Sequence, residues 1–386
     1  MSIEKKIARL IKNNGFYQSI YKNTSEIVID QLPIINKEMV ISNYDSICTN
    51  KHSAISVSTS GTTGQPIVIR WSKSDYIFSN LYTWKLRKKW YDISPDDKFC
   101  TFHVDTVYGM AEMSILNDGR TLSLGKYNLS EDILDRYINA MKEFEPKWIL
   151  GPVSLIFIIF NRMKEKNIII SSLRYIELNG EYVSEHIYKE IVSLCKVKVG
   201  NLYGATEFNG IAFMCPFGNM HVLEQNVYIE NKHIGKISNF IITGLCNSIM
   251  PLIRYDIGDS GLVKENVKCL CGLHGKTLEI SYGREAEVVK AKDNSIINAS
   301  AFGALIYQLN IEKTVVLQYC VDIRETGYVL QLLVNKSAYC SVCNKKKWMK
   351  QQLQKFGIHF DIEIFIDMKD ILDGRNKFTF IKKNED

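Results

Sequence analysis

The stretch from Ser58 to Pro66 places hydroxyl side chains and two glycines between two runs of strand-forming residues. Ile67-Val68-Ile69 follows it, so we predict a turn between two strands. Glycine permits backbone conformations that other residues avoid, and hydroxyls together with exposed amides can surround a phosphate. The pattern is not the common P-loop, because Gly64 is followed by Gln65-Pro66 rather than by lysine. It predicts a phosphate-binding loop, with a merely flexible Ser/Thr/Gly loop as the alternative.

A second set of residues has the types and spacing of a zinc site. Cys215 and His221 are spaced Cys-x5-His, and Cys269 and Cys271 are spaced Cys-x-Cys. Three thiolates and one imidazole suit tetrahedral Zn²⁺, so we predict a structural zinc site. Buried free cysteines and a surface histidine are the alternative. The pair Cys340-x2-Cys343 is a rival that lacks nearby His or Cys partners in the sequence.

Length and composition limit the classes of protein to consider. The chain has 386 residues, of which 46% are hydrophobic, so it can bury a large core and form one large domain and a smaller one. The net charge of +6 is modest and the Lys and Arg residues are dispersed, which argues against nucleic-acid binding. The ten cysteines are expected to be thiols or metal ligands rather than disulfides.

The N-terminal residues indicate the compartment. Ile3, Ile7, Leu10 and Ile11 fall on one helical face, and residues 1–14 lack the apolar core of a signal peptide. The longest uncharged apolar run, residues 148–160, is shorter than the roughly 20 residues that span a bilayer. We expect a cytoplasmic monomer or homodimer without a membrane segment.

Strands and helices alternate through the first half of the chain. We predict strands over residues 98–105, 148–151, 173–178 and 197–202, and helices over residues 74–90, 130–144, 154–166 and 184–194. Such alternation predicts an α/β sheet with helices on its faces. Short strands between residues 210 and 280 predict a β-rich subdomain. The expected architecture is a large N-terminal α/β domain over residues 1–282, which includes that subdomain, and a small mobile C-terminal α+β domain over residues 283–386.

Polar motifs follow the predicted strands at the points where the strands end. Asn179-Gly180-Glu181 closes one strand, and Asn-Leu-Tyr-Gly-Ala-Thr-Glu at residues 201–207 closes the next. Ligands of open α/β sheets lie at the carboxyl ends of strands, so both segments could line the same crevice as the phosphate loop. Two further motifs follow, Pro-Leu-Ile-Arg-Tyr-Asp-Ile-Gly-Asp at residues 251–259 and Gly283-Arg284.

Taken together and in this order, these motifs resemble the adenylate-forming superfamily of acyl-CoA synthetases, nonribosomal peptide synthetase adenylation domains and luciferases. Four features resemble its phenylacetate-CoA ligase-like branch: Leu32-Pro33 with Lys37, the aliphatic Ile67 after Pro66, Pro-Leu-Ile-Arg-Tyr before Gly258-Asp259, and Cys269-Leu-Cys271-Gly272 before Gly283-Arg284. The resemblance covers nearly the whole chain. It implies that a carboxylate attacks the α-phosphate of ATP, pyrophosphate leaves, and a thiol then attacks the mixed anhydride. Both reactants of the first step are anionic, so the site must neutralise phosphate charge.

The resemblance assigns phosphate contacts to individual residues. The loop would hold the β- and γ-phosphates through Ser58, Thr59, Ser60, Gly61, Thr62, Thr63 and Gly64. Thr206 would contact the α-phosphate. Glu207 would bind Mg²⁺, a cation that favours carboxylate and phosphate oxygens. The alternative for Glu207 is an acidic residue at a helix N-terminus.

The resemblance also assigns nucleoside contacts. Tyr203-Gly204 would lie against adenine, with Tyr203 stacked on the base and Gly180-Glu181 forming the opposite wall. Asp259 would accept both ribose hydroxyls, a geometry that the two carboxylate oxygens suit. The alternatives are core packing for Tyr203 and an ordinary turn for Asp259, with Asp256 as a competing carboxylate. Arg284 would lie near the ribose and phosphate, at the start of an interdomain hinge.

Two positions depart from the pattern of the superfamily. Relatives carry a Gly-Lys near the carboxyl end, whereas here Gly374 precedes Arg375 and Lys377 comes two residues later. Arg375 or Lys377 would therefore be the catalytic cation, and arginine differs from lysine in shape and reach. At the hinge, relatives have Asp two residues after the arginine, but this chain has Ala286 and then Glu287. Both departures bear more on the second half-reaction than on ATP binding.

The resemblance also extends to the acyl substrate. His103, Tyr108 and Gly109 resemble the segment that lines the acyl pocket, and we expect an aryl or small acyl group. CoA is the expected thiol acceptor. The alternatives are the phosphopantetheine arm of a stand-alone carrier protein, amide formation, or a catalytically impaired nucleotide-binding regulatory protein.

Overall fold

The computed structural model describes residues 2–21, 28–50, 55–59, 66–103, 113–117, 119–125, 130–181, 183, 185–234, 237–282, 288–290, 296–298, 302–310, 315–354, 359–366, 368–371 and 381–383. The chain divides into two compact units, each built from two stretches. The first unit comprises Met1–Pro95 and Gly200–Gly283, and the second comprises Asp96–Val199 and Arg284–Asp386. Within the described ranges, no helix combines the length and apolar character needed to cross a membrane.

Helices and strands follow one another along the whole chain. The helices are α1 Ile3–Lys12, α2 Gly15–Ile20, α3 Lys37–Ser42, α4 Tyr44–Ile47, α5 Lys73–Leu86, α6 Glu131–Phe144, α7 Val153–Glu165, α8 Glu185–Cys195, α9 Gly303–Asn310, α10 Tyr339–Asn344 and α11 Lys346–Gln354. The strands are β1 Ile55–Ser58, β2 Val68–Trp71, β3 Phe99–His103, β4 Met113–Leu116, β5 Thr121–Gly125, β6 Trp148–Gly151, β7 Tyr175–Asn179, β8 Lys198–Ala205, β9 Asn209–Met214, β10 Met220–Val222, β11 Val227–Ile234, β12 Ile237–Gly244, β13 Tyr255–Lys268, β14 His274–Tyr282, β15 Val288–Lys290, β16 Ile296–Asn298, β17 Val316–Arg324, β18 Gly327–Val334, β19 Phe360–Phe365 and β20 Ile381–Lys383.

An antiparallel sheet dominates the first unit, with strand order β11-β12-β13-β14-β10-β9-β8. Its apolar side chains join those of the N-terminal helices in one core, to which Trp71, Phe208 and Phe240 contribute. Tyr17 of α2 fastens this core to the chain before β13, because its hydroxyl donates to the Pro251 carbonyl at 3.1 Å and accepts from the Ile253 amide at 3.0 Å.

Helix α5 follows the β1–β2 hairpin and is anchored at its N-terminus and at its middle. The Ser72 hydroxyl accepts from the Asp75 amide at 3.1 Å, which caps the first turn. Asn226 donates to the Ser79 carbonyl at 2.6 Å and so holds the helix near the sheet. The helix ends in a π-helical turn over Arg87–Tyr91, a feature that periodicity did not predict.

The second unit contains a largely parallel sheet with strand order β7-β6-β3-β5-β4, in which β4 is an antiparallel edge strand. Helices α6, α7 and α8 bury one face of this sheet. Cys100, Ile149 and Ile176 lie on that face, and their neighbours along each strand lie on the other face. Asp135 of α6 ties this helix to α7 through a bidentate pair with Arg162, at 2.9 and 3.0 Å.

The C-terminal residues of the second unit form a small α+β arrangement. Their sheet has the order β19-β18-β17-β20, and α9, α10 and α11 cover one face of it. The other face contributes Cys320 and Leu333 to the same core as α6, α7 and α8.

These features confirm the predicted α/β fold with a sheet-rich large part and a smaller C-terminal α+β part. The unit boundary after Gly283 lies one residue beyond the predicted domain boundary at residue 282. The division into domains 1–282 and 283–386, and the mobility of the second, stay predictions.

Candidate functional site

The Ser/Thr/Gly stretch joins two paired antiparallel strands, as predicted. β1 and β2 pair from Ile55 opposite Trp71 to Ser58 opposite Val68. Thr59 continues the ladder, since its amide donates to the Ile67 carbonyl at 2.8 Å and its hydroxyl accepts from the Ile67 amide at 2.8 Å. The rest of the predicted phosphate loop, Ser60, Gly61, Thr62, Thr63 and Gly64, lies outside the described residues.

Tyr203 and Asp259 meet although 56 positions separate them in the sequence. The Tyr203 hydroxyl on β8 donates to Oδ2 of Asp259 on β13 at 2.6 Å, a short charge-assisted hydrogen bond. The Tyr203 ring lies 6.3 Å from the Phe240 ring at a tilt of 53°, so one side of it packs on the sheet. Asp256 is turned to other partners, the Gly258 amide at 3.1 Å and Lys232 at 3.8 Å. Of the two competing carboxylates, Asp259 is therefore the one beside the aromatic ring.

A tight turn between β8 and β9 presents Thr206 and Glu207. It is closed by a hydrogen bond from the Phe208 amide to the Ala205 carbonyl at 3.0 Å, and Phe208 is buried beneath it. Gly204 is required here, because a Cβ atom would lie 2.5 Å from the Asn209 carbonyl oxygen. The alternative of Glu207 as a helix N-terminal acid is wrong, since the residue lies in a turn between two strands. Both side chains are partly exposed, as groups that receive a ligand must be.

Two predicted residues of the second unit follow the carboxyl end of β7. Gly180 has φ of +72°, a left-handed conformation that favours glycine. Glu181 comes next and is half-buried. Within this unit the pair lies at the strand end that the sequence predicted.

His103 is the last residue of β3. Its Nδ1 atom lies 2.8 Å from the Ser123 hydroxyl on the neighbouring parallel strand β5. The other predicted acyl-pocket residues, Tyr108 and Gly109, lie outside the described residues, as do Arg284, Arg375 and Lys377.

The four predicted zinc ligands come together in the first unit. The sulfur atoms of Cys215, Cys269 and Cys271 and a ring nitrogen of His221 all lie within 4.8 Å of one another. The sulfurs of Cys215 and Cys269 are 3.7 Å apart, and Cys271 Sγ is 3.3 Å from His221 Nε2. Two thiolates on one tetrahedral zinc would be about 3.8 Å apart, because each Zn–S bond is about 2.3 Å. The spacing of the cluster therefore fits zinc.

Two similar turns hold these cysteines. The Gly218 amide donates to the Cys215 carbonyl at 2.9 Å, and the Gly272 amide donates to the Cys269 carbonyl at 3.0 Å. Both glycines have positive φ, +80° and +83°, which lets the backbone fold back around each sulfur. Asn219 adds a hydrogen bond from its amide nitrogen to Cys269 Sγ at 3.2 Å. Sequence reasoning missed Asn219, although its position four residues after Cys215 was a usable signal.

The protonation of the cluster depends on burial and on hydrogen bonds to sulfur. Burial raises the pKa of Cys215 to about 12 and lowers the pKa of His221, which favours the neutral imidazole that metals bind. Burial also opposes ionisation of Cys269, but hydrogen bonds from Cys271 and Asn219 outweigh it and lower the pKa of Cys269. A thiolate is the form that binds metal.

Arg254 is a second residue that sequence reasoning left without a role. It has φ of +51° and is nearly buried, and its guanidinium pairs with Glu230 at 2.7 Å. The same guanidinium donates to the carbonyls of Asp30 and Leu32. It therefore fastens the segment before α3 to the start of β13, the strand that carries Asp259. The Pro-Leu-Ile-Arg-Tyr motif was the signal for it.

A family model described as AMP-binding enzyme matches residues 10–239, more than half of the chain. The chain belongs to the AMP-binding enzyme family. This membership confirms the predicted adenylate-forming superfamily, whereas the phenylacetate-CoA ligase-like branch stays a prediction. The turn after β8 and the β1–β2 hairpin of this AMP-binding enzyme both lie within the matched residues.

Known proteins are similar to this AMP-binding enzyme over most of its length. Protein CapK of Staphylococcus aureus is 24% identical over 403 residues, which cover 95% of this chain and 85% of CapK. The structure of 2-hydroxyisobutyryl-CoA ligase in the postadenylation state, with R3-HIB-AMP, has a TM-score of 0.73 at 15% identity and covers 98% of this chain and 89% of that one. The McyG A-PCP structure with phenylalanyl-adenylate has a TM-score of 0.56 at 12% identity, over 85% of this chain and 65% of that one. At these identities the two structures show the fold alone.

Proposed function

We propose that this enzyme uses ATP to activate a carboxylic acid as its acyl-AMP and then transfers the acyl group to a thiol. The observation that carries the proposal is the 2.6 Å hydrogen bond between Tyr203 and Asp259, in a chain of the AMP-binding enzyme family. This hydrogen bond links an aromatic ring that can stack on adenine to a carboxylate that can accept ribose hydroxyls. An adenylate presents both an adenine base and ribose hydroxyls.

The residues of the first unit support distinct parts of nucleotide binding. Tyr203 lies 6.3 Å from the Phe240 ring, and its aromatic ring is of a type on which adenine stacks. Its hydroxyl fixes Oδ2 of Asp259 and so orients the carboxylate whose oxygens accept the two ribose hydroxyls. Thr206, at the tip of the β8–β9 turn, donates its hydroxyl to an α-phosphate oxygen.

The first half-reaction replaces one bond at phosphorus by another. A carboxylate oxygen of the acid bonds to the α-phosphorus, the bond from that phosphorus to the bridging oxygen breaks, and pyrophosphate leaves. Residues of the Ser58–Gly64 loop hold the leaving group through hydroxyls and amides. Glu207 provides the carboxylate oxygen that a Mg²⁺ ion would bind, and that ion would offset phosphate charge.

In the second half-reaction a thiol sulfur bonds to the acyl carbon, AMP leaves, and the thiol proton is released. We propose CoA as the acceptor, since an open structure of 2-hydroxyisobutyryl-CoA ligase in complex with 2-HIB-AMP and CoA has a TM-score of 0.61 over 98% of this chain. The proposed acid is aryl or small acyl, with His103, Tyr108 and Gly109 in its pocket. A carrier protein as acceptor, or amide formation, is the second candidate, favoured by the likeness to the McyG A-PCP structure.

The test is ATP–pyrophosphate exchange of the purified enzyme with a panel of aryl, aliphatic, hydroxy and amino acids. We expect exchange with at least one acid, and its loss in Asp259→Asn, which replaces one of the two accepting oxygens by an NH2 donor. Absence of exchange with every acid, together with retained ATP binding, would instead support a nucleotide-binding regulatory protein. Incubating the active acid with CoA and with carrier proteins then distinguishes the acceptors.

We also propose that Cys215, His221, Cys269 and Cys271 hold one structural Zn²⁺. The 3.7 Å separation of two of the sulfurs and the two matching turns support it. Metal analysis is expected to find close to one equivalent of zinc per chain, and less than half of that in Cys215→Ser. A metal-free protein of normal stability would exclude the zinc site.

A further inference from the structure

Cys340 and Cys343 lie three residues apart on α10, in the C-terminal part of the second unit. Cys340 is exposed, whereas Cys343 is half-buried and packs against the core that holds Val342 and Met349. Neither belongs to the Cys/His cluster. A thiol that small molecules can reach thus stands next to one that they reach less easily.

The other eight cysteines, all within the described residues, are poor competitors for thiol chemistry. Five are buried outside the cluster, at Cys48, Cys100, Cys195, Cys246 and Cys320. Burial raises the pKa of Cys246 to about 11 and that of Cys320 to about 12, and it raises those of Cys100 and Cys195 further. A buried thiol that stays protonated is a weak nucleophile. The remaining three belong to the cluster.

The spacing of the pair allows a disulfide with a small adjustment. Residues three apart on an α-helix have Cα atoms about 5 Å apart, which lies within the roughly 4.4–6.8 Å found in disulfides. Their Cβ atoms, at about 5–6 Å, must approach to roughly 4 Å. Helix α10 has only six residues and follows a 3₁₀ turn over Lys336–Ala338. A disulfide within it would therefore distort few helical hydrogen bonds. A bond that needs this adjustment is easily reduced, as a reversible site requires.

Tyr339 gives the half-buried thiol a specific partner. The charge of a Cys343 thiolate, and then a hydrogen bond between the two side chains, raise the pKa of the Tyr339 hydroxyl. The phenol therefore keeps its proton and can donate a hydrogen bond to the Cys343 sulfur, one helical turn away. The thiolate is the form of a cysteine that attacks a disulfide.

We propose that Cys340 and Cys343 form a reversible dithiol–disulfide site that reacts with small disulfides. The Cys340 thiolate attacks one sulfur of the small disulfide, a mixed disulfide forms, and one small thiolate leaves. The Cys343 thiolate, beside Tyr339, then attacks the Cys340 sulfur and releases the second small thiolate. The protein is oxidised by two electrons, and the small disulfide is reduced to two thiols, which take up the two protons.

The experiment exposes the purified full-length chain to glutathione disulfide, blocks remaining thiols with an alkylating agent, and identifies modified peptides by mass spectrometry. We expect the peptide that contains both cysteines to lose two hydrogens, to escape alkylation and to carry no glutathione. Reduced glutathione should restore both thiols. A peptide that stays fully alkylated, or one that carries two glutathiones, would contradict the proposal.

Two variants separate the roles within the pair. Cys343→Ser should trap one glutathione on Cys340, because the second attack is lost. Cys340→Ser should take up no glutathione at α10, because the exposed thiol that makes the first attack is gone. If Cys343→Ser behaved like the original chain, Cys343 would not be the attacking thiol and the proposal would fail.

Discussion

At the scale of single residues, the Tyr203 hydroxyl orients the carboxylate that the proposed function needs. Tyr203→Phe keeps the aromatic ring but removes the hydrogen bond to Asp259. Hydrogen bonds to charged groups contribute about 1.5 kcal/mol or more, so the KM for ATP in pyrophosphate exchange should rise roughly tenfold. Tyr188→Phe is the matched control, because its hydroxyl donates to the Val199 carbonyl in the other unit. Equal KM values for ATP in the two variants would exclude a role of the Tyr203 hydroxyl in nucleotide binding.

The types of the functional residues could be predicted at this scale, but their contacts could not. Tyr203 and Asp259 are recognisable from their motifs, yet only the pairing of strands through the sheet brings them together. The choice between Asp256 and Asp259 depended on backbone geometry as well, since Gly258 between them has φ of +79° and redirects the strand. Cys215 and Cys271 were predicted as ligands of one metal from residue chemistry, because thiolates and imidazoles are the groups that bind zinc. The structure places them in one cluster.

At the scale of elements, the β13–β14 hairpin depends on the absence of a side chain at Gly261. A Cβ atom there would lie 2.3 Å from the Glu279 carbonyl oxygen and 2.4 Å from the Phe240 ring. Gly261→Ala should lower the free energy of unfolding by about 1–3 kcal/mol, as overpacked sites do. Gly15→Ala is the control, because nothing lies within 4 Å of its Cβ position in α2 and alanine favours helix. Denaturant unfolding would measure both, and equal stabilities would contradict the packing argument.

The link between α6 and α7 should depend on pH. Hydrogen bonding to Arg162 is the largest cause that lowers the pKa of Asp135 to about 2 from the usual 3.8. The folded state therefore favours the ionised carboxylate, so the stabilisation is present above about pH 4 and is lost as the pH falls toward 2. Because the pair is partly exposed, Asp135→Asn should cost only about 0.5–1 kcal/mol of unfolding free energy at pH 7.

Unfolding of Asp135→Asn and of the original chain should therefore converge near pH 2. Asp96→Asn provides the comparison, since Asp96 pairs with Arg120 at 2.8 Å but its side chain is 87% exposed. This control should differ little from the original chain at either pH. A stability difference for Asp135→Asn that persisted unchanged at pH 2 would contradict the electrostatic origin.

Helix periodicity predicted the elements of the second unit better than strand patterns predicted those of the first. The apolar spacing of α6 and α7 marks a buried face that only a helix provides. The long strand β13 was predicted as a short strand, because its glycines and the polar run near Asn266 are typical of turns. Asn266 has φ of +53° where the pairing with β14 shifts register, so the strand continues through an irregularity. Nothing in local sequence reveals such a continuation.

At the scale of the whole molecule, the proposed zinc ion should stabilise one unit selectively. The Cys/His cluster joins β9, β10 and the turn between β13 and β14, all in the first unit. If the cluster holds zinc as proposed, a chelator should lower amide protection in residues 209–222 and 262–280 while β5, β6 and β7 keep theirs. Hydrogen exchange with peptide resolution would test this. Uniform loss of protection in both units, or none in either, would contradict it.

The division into two units has a consequence for how acid specificity can change. Each unit combines separated stretches of chain, yet Asp96–Val199 is continuous and contains His103, Tyr108 and Gly109. Tyr203, Thr206, Glu207 and Asp259 lie outside that stretch. Exchanging this one stretch would therefore replace every proposed acyl contact, together with Gly180 and Glu181, and leave these four proposed nucleotide contacts unaltered. Chimaeras that exchange this stretch with a relative offer a route to new acid preferences in one genetic step.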